Sequence, residues 1–300
     1  MLINMCIYNI CLRCFIHNVR FISLLNWQVL FPFLDMSTAV LKKLDDLKIS
    51  SRAVYMDIAV VSPDTILLTN GDEFKVKLFD IKKGHAVSEM TLLGYPRGLC
   101  LIRSNQAVVA VKGKKVQFFN LESRNYLTKG FVLDVNHDPF SIARINDTSF
   151  VISYHYYPWL EVLTTDGKVS HQFDKDGKTQ YFKFPNHITS STDNYVYVSD
   201  FVTNTITKLD FSLQLLVTFC SPLLTSPRGI ISVSSDQLLV CSTLGCWDKH
   251  LIVMLNTRTG EWSTLLENQE RSSTLGFCPE QKKLYAAKYP TDRFNVYELS

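Results

Sequence analysis

After about residue 53, short apolar runs alternate with polar turns, and the alternation repeats. Each unit opens with a turn rich in Pro, Gly or polar residues, followed by a short apolar run. A second run, rich in β-branched and aromatic residues, comes next. A third run ends in an Asp- or Asn-type turn, and a fourth completes the unit. The second runs are Ile66-Leu67-Leu68-Thr69, Ala107-Val108-Val109-Ala110-Val111, Phe150-Val151-Ile152-Ser153-Tyr154, Tyr195-Val196-Tyr197-Val198-Ser199, Gln237-Leu238-Leu239-Val240-Cys241 and Lys283-Leu284-Tyr285-Ala286-Ala287. The third runs end at Asp80, Asn120, Thr164, Asp210, Asn256 and Glu298, at spacings of 40, 44, 46, 46 and 42 residues. The openings repeat too: Pro96-Arg97-Gly98-Leu99, Pro139-Phe140-Ser141-Ile142, Pro185-Asn186-His187-Ile188 and Pro227-Arg228-Gly229-Ile230. No long amphipathic helical pattern occurs after residue 50.

Four short strands per unit of roughly 40–50 residues predict a β-propeller. Neighbouring blades cover both faces of each sheet, so the runs are continuous rather than strictly alternating. Turns such as Asp80-Ile81-Lys82-Lys83-Gly84 reverse the chain with Asp, Asn and Gly. Five units are complete, and the sixth stops after its third strand at Leu299-Ser300. An open blade would leave unpaired edges. Leu44–Ser51 is the expected closing strand, paired beside Phe294–Leu299. The competing reading takes Val40, Leu44 and Leu47 as one face of a short helix. The expected fold class is all-β: a six-bladed β-propeller of four-stranded antiparallel blades, its ring closed by an N-terminal strand.

The first 35 residues follow another pattern: 24 of them are apolar, against about 43% in the rest. Arg13 and Arg20 interrupt the run, so it is read as an N-terminal extension rather than a membrane span or signal peptide. The expected organisation is an apolar extension over 1–35, a linker and closing strand over 36–51, and the propeller over 52–300. Cys11-x2-Cys14-x2-His17 has the spacing of half a zinc site, and incidental cysteines are the preferred reading. Cys100, Cys220, Cys241, Cys246 and Cys278 are scattered, as suits reduced thiols in a cytoplasmic protein. The 31 basic and 28 acidic residues nearly cancel, leaving a formal charge of +3. That balance excludes a strongly basic nucleic-acid binder and an acidic scaffold.

The units resemble NHL-repeat six-bladed propellers, as found at the C-terminus of tripartite-motif (TRIM) proteins. The best match runs Pro185-Asn186-His187-Ile188, Asp193-Asn194-Tyr195-Val196-Tyr197-Val198-Ser199-Asp200, Asn204 and Ile206-Thr207-Lys208-Leu209-Asp210. It follows the family's Pro-x-Gly-Ile opening, aromatic-Val-x-Asp strand end, Asn, and strand ending in Asp. His187 and Ser141 depart from the family's usual Gly. The resemblance covers about residues 45–300 and implies binding rather than catalysis, in a ubiquitin-ligase or regulatory context. A RING domain takes eight zinc ligands in ordered pairs, and one partial pair is present here. Ligase activity is therefore not carried over to this polypeptide.

In a propeller, the inter-blade loops share a face with the loops joining second and third strands. Arg97, Phe140, Asn186, His187 and Arg228 are expected to ring the channel mouth. Tyr156, Tyr157, Trp159, Trp247, Lys249, His250 and Arg293 are expected on neighbouring loops of that face. Aromatics interleaved with cations suit a protein hot spot or RNA stacking. Acids on the same loops, Asp72, Glu73 and Asp200 among them, dilute the positive field. The expected partner is a protein, with RNA as the alternative; DNA, catalytic residues, a metal and a cofactor are not expected. A second alternative is a metal-dependent lactonase or esterase of the gluconolactonase and paraoxonase kind, with Asp57, Asn186 and His187 as candidate ligands. Arginines at the equivalent positions of other blades argue against it.

Overall fold

Each repeated run becomes one strand of a four-stranded antiparallel sheet. The computed structural model describes residues 39–300, except residues 45, 123–125, 155–156, 174–180, 245–248, 269–271 and 289–290. The first blade consists of Tyr55–Ser62, Thr65–Asn70, Lys75–Asp80 and His85–Thr91, paired in chain order. The next four cover 96–134, 139–172, 185–219 and 230–268. The sixth is built from Ser272–Cys278, Lys283–Lys288 and Thr291–Leu299, with the N-terminal strands at its edge. The expected Cys11, Cys14 and His17 cluster and the 1–35 extension lie outside the described residues. No helix among the described residues is long and apolar enough to cross a membrane.

The second runs are apolar throughout because each strand is covered on both faces. In the first blade, Ile66 and Leu68 pack with Tyr285, Ala287 and Phe294 of the sixth. Leu67 between them points the other way, packing with Leu99 and Val109 of the second blade. All three are fully buried, as the two-residue period of a strand requires when both sides are core. Six such clusters occur, one at each interface between neighbouring blades. Together they make the ring.

The closing strand comes from the N-terminal side, and the short-helix reading is excluded. It arrives in two pieces on the same partner. Leu41–Lys43 pairs antiparallel with the last strand, at Leu41↔Leu299 and Lys43↔Tyr297. Leu47–Ala53 continues beside it, at Leu47↔Phe294 and Lys48↔Arg293. Between them the Leu44 amide donates to the Val296 carbonyl at 2.8 Å. Ile49 and Ala53 are buried against Tyr55 and Phe294. The strand extends beyond the expected 44–51 at both ends.

The six inner strands meet around the axis at equivalent positions, each just before an apolar residue: Asp57, Gly98, Ser141, His187, Gly229 and Thr274. Several link one blade to the next. Asp57 Oδ2 accepts from the Leu99 amide (2.8 Å), and Oδ1 accepts from the Thr274 hydroxyl (2.7 Å), so one carboxyl touches the first, second and sixth blades. Ser141 Oγ accepts from the Ile188 amide at 3.0 Å. Where the position is Gly, the backbones themselves approach. A Cβ on Gly98 would lie 2.7 Å from the Ile142 nitrogen, and one on Gly229 would lie 2.9 Å from the Ser273 carbonyl oxygen.

Ile49→Ala removes a fully buried side chain from the closing strand and is expected to cost about 2–5 kcal/mol. Lys48→Ala, on the exposed side of the same strand, is expected to change stability by less than about 0.5 kcal/mol. Urea denaturation of both variants measures the difference.

Candidate functional site

A cavity of about 380 Å³ opens at one end of the channel, and all six blades contribute to its wall. Arg97, Phe140, Asn186, His187 and Arg228 all line it. They converge because each sits at or beside the opening of an inner strand. Pro96, Pro139 and Pro185 begin such strands, which fixes the local φ and sends the flanking side chains toward the axis. The residue before the proline matters as much as the one after. Tyr95 and Phe184 also line the cavity, and an aromatic-Pro pair at the strand opening is the signal that points to them. Met56, Phe201 and Ser273 also line the wall.

The two arginines are laid on aromatic rings. The Arg97 guanidinium carbon lies 4.8 Å from the centroid of Phe140 and 5.4 Å from that of Tyr95. That of Arg228 lies 4.7 Å from Phe201. Phe184 bridges the aromatic side, 5.7 Å from Phe140 and 5.8 Å from Phe201. Tyr95 donates its hydroxyl to the Met56 sulfur at 3.1 Å. Cation–π contacts of this kind hold a guanidinium plane against a ring. Among the described residues, no Asp or Glu lines the cavity.

Asp200 lies inside the fold rather than on the surface of its loop. It is fully buried and accepts four backbone bonds. Oδ2 takes the amides of Lys183 and Phe184, and Oδ1 those of Val202 and Thr203. The carboxylate pins the two segments that carry Phe184 and Phe201. Asp138 does similar work in the second blade, accepting from the amides of Gly113 and Lys114. Those bonds oppose its desolvation, and with Lys112 and Arg97 nearby its carboxyl is held below the usual carboxylate range.

Below the mouth, the inner strands line a second cavity of about 230 Å³, the channel itself. His187 lines both. Burial, reinforced by the charge of Arg228, pulls its pKa down to about 4, so the ring is neutral at physiological pH. Asp57, in the channel wall, is pushed up to about 6: burial outweighs the bonds from Thr274, Leu99 and Ile58. Burial, with the charge of Asp57 nearby, also raises the Cys100 thiol strongly. Among the described residues, no group of three His, Cys, Asp or Glu side chains forms a metal-ligand cluster.

The other expected residues that are described do not line this cavity. Tyr157 is exposed and packs on His137 at 3.9 Å between ring centroids. Trp159 is partly buried, 5.0 Å from His137, and leans on the core between the second and third blades. Lys249 pairs with Glu267 at 2.6 Å, and Arg293 lies 4.0 Å from Asp46. His250 is buried in the third strand of the fifth blade. Tyr156 and Trp247 lie outside the described residues.

No protein-family model and no curated protein matches the chain. Solved structures do. A protein of unknown function from Bacteroides thetaiotaomicron VPI-5482 is 10% identical, with a TM-score of 0.68 over 88% of this chain and 77% of that one. A catalytically inactive virginiamycin B lyase from Staphylococcus aureus, solved with quinupristin, is 16% identical, with a TM-score of 0.59 over 83% of this chain and 81% of that one. Both likenesses are in the fold: a six-bladed propeller.

Asp57 gives this site a pH signature. Its pKa is raised in the folded state, so the fold favours the neutral acid. That contribution is fully present below pH 3.8 and is lost as pH rises through about 6. Between pH 4 and pH 8 the stability of the native chain is expected to fall by up to about 3 kcal/mol relative to Asp57→Asn. Paired urea melts across that range measure it, and a constant difference between the two proteins would contradict the assignment.

Proposed function

We propose that the protein is a non-catalytic recognition module that holds a segment of a protein partner at the channel mouth. The supporting observation is the wall of the 380 Å³ cavity: two arginines placed over aromatic rings, drawn from different blades, with no carboxylate among the described lining side chains. Arg and aromatic side chains in a desolvated pocket are the groups that dominate protein interfaces. The cavity lies at the lower end of the range for ligand pockets, which suits an inserted peptide segment. The NHL-like repeat pattern, with its binding rather than catalytic role, points the same way. Of the two partner classes, protein is favoured over RNA, because 31 basic residues face 28 acidic ones and RNA binding rests on a wider basic footprint. The thiols of Cys100, Cys241 and Cys278, which form no disulfide, support a cytoplasmic setting.

The test is capture of partners from source lysate by the full chain, with and without RNase. Arg97→Ala combined with Phe140→Ala is expected to weaken retention of the partner by at least about 30-fold, the loss of one hot spot. Lys249→Ala, outside the cavity, is expected to leave retention unchanged. Equal retention by all three proteins would refute the mouth as the binding face.

A further inference from the structure

We infer that the mouth selects an acidic peptide segment, its carboxylates paired with Arg97 and Arg228 and an apolar residue between them packed on the phenylalanines. This rests on the reading of the mouth as the partner-binding face. The placement of the two arginines carries it. They occupy the same position in the second and fifth blades, inside the matching openings Pro96-Arg97-Gly98 and Pro227-Arg228-Gly229. Three steps around a six-membered ring put those blades on opposite sides of the axis. The positive charge therefore stands on two facing walls, with Phe140, Phe184 and Phe201 between them on one side.

Each guanidinium carbon lies over a ring, 4.8 Å from the Phe140 centroid for Arg97 and 4.7 Å from Phe201 for Arg228, and each guanidinium carries its N–H donors as a planar fork along its edge. That edge matches a carboxylate in the two-bond, fork-to-fork geometry. Arg97 forms no ion pair among the described residues. Among the described residues, Asp200 and Asp138 accept from backbone amides, and Asp72 accepts from the Val54 amide at 3.1 Å. His187 is neutral and adds no third charge. The charge in the described wall thus sits on two side chains, Arg97 and Arg228, which suits a short acidic motif rather than an extended polyanion.

The experiment uses the full chain labelled at its methionine methyl groups. Six methionines give six signals. Met56 lines the cavity, and Met254, 1% exposed in the core between the fifth and sixth blades, is the control. A Met56→Leu variant assigns the reporter. Three probes are titrated: a pool of synthetic hexapeptides bearing Asp/Glu-x-Asp/Glu with x Leu, Phe or Tyr, the same pool with Asn/Gln, and a ten-nucleotide oligouridine. The acidic pool is expected to move Met56 saturably and leave Met254 in place. Arg97→Gln with Arg228→Gln is expected to weaken that response at least tenfold, the unmoved Met254 signal showing an intact core. An equal response to the Asn/Gln pool, or survival in the double variant, overturns the acidic motif and leaves the mouth as the binding face. A response to oligouridine alone refutes the acidic motif and replaces the partner class. No response to the acidic pool also overturns it, and the mouth is then judged by the capture experiment alone.

Discussion

Everything in this molecule depends on pairing the two ends of the described chain. The last strand, Thr291–Leu299, has a bare edge until Leu41–Lys43 and Leu47–Ala53 lie beside it. An unpaired edge of that length would be open to association with other chains. Pairing it also completes the cluster of Ile49, Tyr55, Ile66 and Phe294, which joins the sixth blade to the first. The other five interfaces join neighbours in sequence, whereas this one joins residues more than 200 positions apart. Its formation turns a row of blades into a ring.

The ring in turn sets the site. The inner strands converge only as far as their side chains permit. Gly98 and Gly229 allow the backbones of adjacent blades to touch, while Asp57, Ser141 and Thr274 span the remaining gaps with hydrogen bonds. Asp57 carries a cost for this, since burial raises the pKa of its carboxyl to about 6. One position earlier, the side chains turn to the mouth: Met56, Arg97, Phe140, Asn186, Arg228 and Ser273. The spacing of the channel and the composition of the mouth are thus two readings of consecutive residues. Ring closure is what places Arg97 and Arg228 on opposite walls.

The repeat was legible because a blade covered on both faces leaves a strong mark: three to five consecutive apolar residues, such as Ala107-Val108-Val109-Ala110-Val111, every 40–46 positions. The inner-strand openings were legible for the same reason, and the five residues expected at the mouth share one cavity. Other features could not be read from period alone. Whether a loop side chain faces solvent, core or cavity depends on bulges and local hydrogen bonds. The first strand pair of the second blade shifts register between Pro96 and Leu99, and that of the third between Pro139 and Ile142. Asp200 looks like a surface charge in the sequence, yet four amides draw it inside. Trp159 and His250 look like rim residues, yet they pack against the blades. Tyr95 and Phe184 precede their prolines and so fall outside the repeated Pro-x-x-apolar pattern.

Ring closure is the central claim, and amide hydrogen exchange on the full chain tests it most directly. If the closing strand is part of the cooperative ring, the Leu44 amide and those of Thr291–Leu299 exchange by the same opening as Leu67 in the first blade. Their exchange free energies then match global unfolding and fall together as urea is added. Contradiction would come from Leu44 and the last strand exchanging by a low-energy local opening that urea does not affect, while Leu67 stays protected.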